Sequence, residues 1–141
     1  MIHFFIPHNV PSSKNSKQIV WKEAKGKRVP LIVHSKTTRK YIKDTKGYYE
    51  MYAKVFKEEV KHIPAPLHIM FTFFRGSKRK FDYINPAQTV QDLMVKYGWI
   101  EDDNAEYIIP SFAQYKYDKE NPGVLIEIIW KEGWKGNDNY R

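Results

Sequence analysis

An alternating apolar pattern near the middle of the chain constrains the fold most. Every second residue across positions 67–74 is Leu, Ile or Phe, which is typical of a β-strand with at least one buried face. Residues 2–7 and 107–117 predict further strands, and Pro110 marks a bulge, a bend or a sheet edge. Residues 124–130 are almost continuously apolar, which predicts a central strand.

Helical spacing predicts helices between these strands. Ser35 is a candidate N-cap, and Gly47 predicts a break in the helix that follows. Apolar residues then recur at helical spacing across positions 49–63, and Pro64 ends the pattern. The tyrosines of this stripe are typical of a core, with stacking on bases as the alternative. Helices inserted in a series of strands predict an α+β fold, a single small domain whose helices pack on one face of a mixed or antiparallel sheet.

Two polar segments near the N-terminus are candidates for phosphate contact. Residues 18–22 and 29–34 predict a hairpin, and its basic connection is either a DNA contact or a soluble turn. Residues 8–17 are rich in Pro, Ser and Asn and carry Lys14 and Lys17. Small polar groups beside lysine can contact phosphate oxygens, although the same composition is ordinary turn chemistry.

The composition predicts a basic, soluble, cytoplasmic protein. Its 141 residues favour one domain, residues 1–130, followed by a tail at 131–141. A net charge of +8 favours a polyanion partner. The absence of cysteine excludes disulfides, thiolate zinc sites and cysteine nucleophiles. No apolar run approaches the roughly 18 residues of a membrane span, so we expect no membrane partner.

Charged side chains are concentrated in residues 75–104. Acids lie at both ends of a predicted helix, Asp82 before it and the run from Glu101 to Asp103 after it. Mg²⁺ is usually held by one or two carboxylates together with substrate phosphate oxygens, and cations neutralise nucleic-acid phosphates. The segment therefore suits a metal held against a phosphate, with an acidic surface turn as the alternative. The cations of its basic loop are Arg75, Lys78, Arg79 and Lys80.

The helix within this segment has recognisable ends. Asn85 is the predicted N-cap, Pro86 the first helical residue, and Gly98 the residue after the C-terminus. Gln88 and Asp92 share with Asn85 the face opposite the apolar stripe. This polar face is either functional, or Asn85 and Gln88 cap the helix while Asp92 is solvated. The apolar stripe consists of Val90, Leu93, Met94 and Tyr97.

The order strand, basic loop, Asp, helix, Gly-aromatic, Asp-Asp, strand resembles the RusA family of Holliday junction resolvases. The resemblance covers residues 1–130, including an N-terminal segment of Ile6-Pro7 followed by Pro11-Ser12-Ser13-Lys14-Asn15. Asp82 matches the first acid of the family pattern, Asn85 its Asn, and Asp102-Asp103 the closing pair. The chain departs from that pattern at Ile84, where the family has an acid, and at Gln88, where it has a lysine.

The resemblance implies a Mg²⁺-dependent endodeoxyribonuclease, with Mn²⁺ as an alternative ion, that acts as a homodimer on four-way DNA junctions. It implies catalytic roles for Asp82, Asp102 and Asp103, and metal binding by Asp82, Asp103 and Asn85. Phosphate contacts are expected from Arg75, Lys78, Arg79, Lys80, Lys14 and Lys17. Because Ile84 removes one carboxylate, the alternative is a protein that binds branched DNA without cleaving it. A basic accessory protein with no nucleic-acid role is the third reading.

Overall fold

The computed structural model describes residues 2–13 and 17–130. This part of the chain forms seven strands and two helices, an α+β arrangement in one small domain, as the sequence predicts. The predicted contact Lys14 and the tail at 131–141 lie outside the described residues. The elements are β1 (Ile2–Pro7), β2 (Lys17–Ala24), β3 (Lys27–His34), α1 (Lys36–Val60), β4 (Leu67–Arg75), α2 (Ile84–Lys96), β5 (Ile108–Phe112), β6 (Lys116–Tyr117) and β7 (Gly123–Ile129).

Five of the strands form one mixed sheet. Its order is β1-β7-β4-β5, and β6 also pairs with β4. Strand β7 runs antiparallel to both neighbours, while β5 and β6 run parallel to β4. The central position predicted for residues 124–130 is therefore confirmed. Pro110 lies in the edge strand β5, where a missing backbone donor costs no hydrogen bond within the sheet.

One face of this sheet carries the core. The alternation in β4 buries Ile69, Phe71 and Phe73, which lie opposite Ile128, Ile126 and Val124 of β7. Both helices pack on this face. Helix α1 contributes Phe56, whose ring centroid lies 4.9 Å from that of Trp99, just beyond α2. The buried residues of α2 are Pro86, Ala87, Thr89, Val90, Gln91, Leu93 and Met94.

Helix α1 is continuous, and the break predicted at Gly47 is wrong. Ser35 caps the helix as predicted, because its hydroxyl accepts from the Thr38 amide at 3.3 Å. Glycine inside a helix costs only about 1 kcal/mol relative to alanine. Burial of Tyr41, Tyr49 and other residues of the same face offsets that cost, and Gly47 itself is exposed.

The start of α2 also differs from the prediction. The N-cap is Tyr83, with no side-chain capping bond, and Asn85 is the second helical residue. The Asn85 amide instead donates to the Asp82 carbonyl at 3.1 Å. Pro86 is tolerated at the third position because the first four amides of a helix have no partner within it.

The predicted hairpin is confirmed and is longer than expected. Strands β2 and β3 pair antiparallel along eight residues each and form a separate two-stranded sheet. Lys25 and Gly26 connect them, and both have positive φ. Lys17 is the first residue of β2, and the position of its side chain is outside the described part.

Candidate functional site

A buried arginine fixes the basic loop that follows β4. The guanidinium of Arg75 donates to the Val10 carbonyl at 2.8 Å and to the Ser12 hydroxyl at 2.8 Å. Its Cζ also lies 4.4 Å from the centroid of the Phe81 ring. Arg75 is only 4% exposed, and this burial lowers the pKa of its guanidinium. The guanidinium therefore ties the N-terminal loop to the basic loop, and the phosphate contact expected of Arg75 from the sequence stays a prediction.

An open cleft of about 580 Å³ lies beside this anchor. Three exposed cations and one carboxylate line it, so its local charge is positive. Ser12 brings the N-terminal loop to the same cleft. This composition suits an anionic ligand with hydrogen-bonding oxygens. The lining residues are Ser12, Lys78, Arg79, Lys80, Phe81, Asp82, Tyr83, Asn85 and Tyr115.

Aromatic side chains hold the cleft in shape. The ring centroids of Phe81 and Tyr115 lie 5.1 Å apart, and those of Phe81 and Tyr83 lie 5.2 Å apart. The Tyr83 hydroxyl accepts from the Tyr115 amide at 2.9 Å. Tyr83 also stacks on Phe112 of β5. Asp82, between Phe81 and Tyr83, is thus supported by packed rings on both sides.

The polar face of α2 extends from the cleft to the acidic turn, which consists of Glu101, Asp102 and Asp103. The Nε2 atom of Gln88 donates to Oδ1 of Asp92 at 2.7 Å and to Oδ2 of Asp103 at 3.0 Å. One amide nitrogen therefore holds two carboxylates close together. Because Asn85, Gln88 and Asp92 recur at helical spacing, a continuous polar row joins the cleft to this carboxylate pair.

The acidic turn is positioned by the end of α2. Gly98, with φ of +80°, donates to the Val95 carbonyl at 3.1 Å, and Trp99 donates to Met94 at 2.8 Å. This pair of bonds is a Schellman motif, and glycine adopts its left-handed conformation without steric cost. The predicted role of Gly98 is confirmed. The buried Trp99 fixes the chain beyond it by donating to the Tyr49 carbonyl at 2.8 Å.

Asp102 organises the turn itself. Its Oδ1 accepts from the Asp103 amide at 2.8 Å, and its Oδ2 accepts from the Asn104 side chain at 2.9 Å. These two bonds lower the pKa of Asp102. A hydrogen bond to Glu101 raises the pKa of Tyr107 in the same segment. The Asp102 carboxylate therefore holds the backbone of Asp103 in position.

The two acids predicted to share one metal lie at different points along the polar row, Asp82 at the cleft and Asp103 against Gln88. Among the described residues, no three His, Asp or Glu side chains lie close enough to hold one ion. Asp82 lines the cleft, whereas Asp102 and Asp103 do not. The acidic turn folds back onto α2 so that Asp103 contacts Gln88, which is about one helical turn from Asn85. Binding of one metal ion by Asp82, Asp103 and Asn85 stays a prediction.

Asp92 and Gln88 are functional candidates that the sequence did not reveal, because it does not show that Gln88 contacts both Asp92 and Asp103. Their helical spacing with Asn85 was the available signal, but no local pattern indicates that residue 103 returns to this face. Ile84 is 69% exposed, so the side chain at the resemblance's acid position points to solvent.

No helix in the described residues is long and apolar enough to cross a membrane. No protein-family model matches the chain, and no curated protein matches it.

Proposed function

We propose that this chain is a RusA-like, Mg²⁺-dependent endodeoxyribonuclease that acts on branched DNA. The observation that carries the proposal is the continuous polar surface from the basic cleft to the Asp92–Asp103 pair. Cations for a phosphate backbone and carboxylates for a divalent ion lie next to each other on it. That is the combination of groups that hydrolysis of a phosphodiester requires.

The cleft would bind and orient the DNA backbone. Lys78, Arg79 and Lys80 supply positive charge, and the Ser12 hydroxyl supplies a hydrogen-bonding group. The buried Arg75 would keep this surface preorganised by holding the N-terminal loop against it. A homodimer would present two such surfaces to two strands of a junction.

The oxygen donors fit a hard divalent ion. Asp92 and Asp103 place two carboxylates within reach of a single nitrogen atom, and Mg²⁺ usually takes one or two carboxylates together with phosphate oxygens. Asp82 and Asn85 provide a second pair of oxygen-bearing side chains at the cleft. A bound ion would activate water and polarise the phosphate. Asp102 would hold the Asp103 backbone in place, and Gln88 would orient the carboxylate.

A second candidate function is binding of branched DNA without cleavage. Two observations favour it. Ile84 is exposed where the resemblance has an acid, and the described acids form no group of three. In this case the basic cleft would retain its role while the carboxylates served only to fold the acidic turn.

A cleavage assay on a synthetic four-way junction separates the two functions. The junction and a linear duplex with the same arm sequences are incubated with the protein in Mg²⁺ or in EDTA. We expect nicked product from the junction in Mg²⁺ and a shifted complex without product in EDTA. A shifted complex with no product in Mg²⁺ or Mn²⁺ would establish the binding protein instead, and the absence of both would contradict both functions.

A further inference from the structure

The β2–β3 hairpin is an arm that projects from the domain. Its two strands pair only with each other. Every residue from 19 to 32 is exposed, so neither face of the arm is covered by the rest of the described chain. Eight residues per strand make the arm about 27 Å long at 3.4 Å per residue.

Cations are concentrated at the tip of this arm. Residues 22–28 carry four of them, Lys22, Lys25, Lys27 and Arg28, with Glu23 as their one acid. Lys25 occupies a turn position with φ of +53°, a conformation that glycine, asparagine and aspartate adopt more readily. The lysine places an ammonium group at the end of the arm, although its left-handed backbone conformation is unfavourable for a residue with a side chain.

The apolar residues of the arm stabilise its stem. Ile19 lies opposite Ile32, Val20 opposite Leu31, and Trp21 opposite Pro30. Such cross-strand pairs stabilise antiparallel strands. The Arg28 guanidinium also lies over the Trp21 ring, 5.6 Å from its centroid. The stem thus holds the basic tip away from the domain.

From these observations we infer that the hairpin is a second DNA-binding element, separate from the cleft, whose basic tip contacts the phosphates of a duplex arm. The choice of DNA as the partner rests on the proposed function. Charge complementarity identifies a polyanion, and the major groove of B-DNA, about 12 Å wide, admits a two-stranded ribbon. The arm is long enough to reach such a groove from a domain bound elsewhere on the junction.

The test compares variants with equal charge loss. The tip variant replaces Lys22, Lys25 and Lys27 with glutamine, and the control variant replaces Lys36, Lys43 and Lys54 of α1 with glutamine. A cleft variant carries Lys78→Gln, Arg79→Gln and Lys80→Gln. Affinity for a labelled four-way junction and for a duplex is measured at several salt concentrations, with EDTA present to prevent cleavage.

We expect the tip variant to bind both DNAs about tenfold or more weakly than the control variant. Its salt dependence, the slope of log K against log salt, should fall by about one for each lysine that contacts a phosphate. Circular dichroism and melting curves establish that each variant is folded.

Equal affinities of the tip and control variants would overturn this inference, while a loss in the cleft variant would leave the proposed function intact. Failure of the wild-type protein to bind either DNA would contradict the proposed function itself. Analytical sedimentation measures the oligomeric state of the tip variant and of the double variant Ile19→Ser/Ile32→Ser. The inference is wrong if these changes dissociate a dimer and if the loss of DNA affinity is fully explained by the fraction of dimer lost. In that case the arm binds a second copy of the chain.

Discussion

The Gln88 side chain joins the acidic turn to α2, with its Nε2 atom 3.0 Å from Oδ2 of Asp103. The same nitrogen donates to Asp92 at 2.7 Å. An amide NH₂ group has two hydrogens, one for each carboxylate, and carries no charge. Two carboxylates therefore lie together around a neutral donor, at the position where the resemblance has lysine.

Gln88→Ala removes the group that orients both carboxylates. We expect DNA cleavage to fall by about tenfold or more, because poorly positioned ligands bind an ion less well. The free energy of unfolding should change by no more than about 0.5 kcal/mol, since Gln88 is exposed. Cleavage rates and urea unfolding are measured beside Gln114→Ala, an exposed glutamine outside the site. Equal rates for the two variants would show that Gln88 has no positioning role.

Ile84→Asp places a carboxylate two residues after Asp82 on an exposed position. Because residue 84 is the first of α2, a negative charge there should stabilise the helix by about 0.3–1 kcal/mol. We also expect half-maximal cleavage at a lower Mg²⁺ concentration. Ile84→Asn is the matched control without charge. If the Asp and Asn variants show the same Mg²⁺ dependence, residue 84 lies too far from the ion to bind it.

Arg75→Met tests the anchor beneath the cleft. The substitution removes the charged donor 2.8 Å from the Val10 carbonyl and leaves only the longer contact from the Asn9 side-chain amide at 3.5 Å, and loss of a buried hydrogen bond from a charged group costs about 1–3 kcal/mol. We therefore expect a lower free energy of unfolding by about that amount. Lys78→Met should leave stability nearly unchanged and weaken DNA binding, because Lys78 is exposed at the cleft. Arg75→Met with wild-type stability would contradict the anchoring role.

The buried pair Tyr41 and Tyr49 predicts a loss of stability at alkaline pH. Their hydroxyl oxygens lie 3.0 Å apart, and burial raises the pKa of both phenols above the usual value near 10. Above pH 10 the phenols ionise in the unfolded chain but not in the folded one, so the stability that they contribute below pH 10 decreases. The loss is at most roughly 1.4 kcal/mol per phenol for each pH unit.

Urea unfolding at pH 8 and pH 11 measures this loss. The wild-type protein should lose more stability between these pH values than the variant Tyr41→Phe/Tyr49→Phe. Tyr48→Phe, at an exposed tyrosine of the same helix, serves as the control and should behave as wild type. An equal loss in all three proteins would assign the pH dependence to other groups.

Much of the fold was predictable because its determinants are local. Alternation in residues 67–74, the hydroxyl of Ser35 and the left-handed Gly98 each act within a few residues of their own position. The break predicted at Gly47 was wrong because burial of one face of α1 outweighs the weak helix propensity of glycine.

The site was less predictable because its contacts are long-range. Arg75 is buried because β1 and its following loop bring Val10 and Ser12 to the end of β4, sixty or more residues along the chain. The bond from Gln88 to Asp103 likewise depends on how the Gly98 turn folds back. The sequence identified Arg75 and Asp103 as candidate site residues. It did not show that Arg75 is buried or that Asp103 accepts a hydrogen bond from Gln88.

The most direct measurement is the single-turnover cleavage rate of a four-way junction in Mg²⁺ for the wild type, Asp103→Asn and the control Glu59→Gln. Glu59 is an exposed acid of α1, so its variant carries the same change of charge away from the site. We expect Mg²⁺-dependent product from the wild type and Glu59→Gln, and a cleavage rate at least a hundredfold lower for Asp103→Asn, which should still bind the junction in EDTA. Undiminished cleavage by Asp103→Asn, or no product from the wild type, would contradict this expectation.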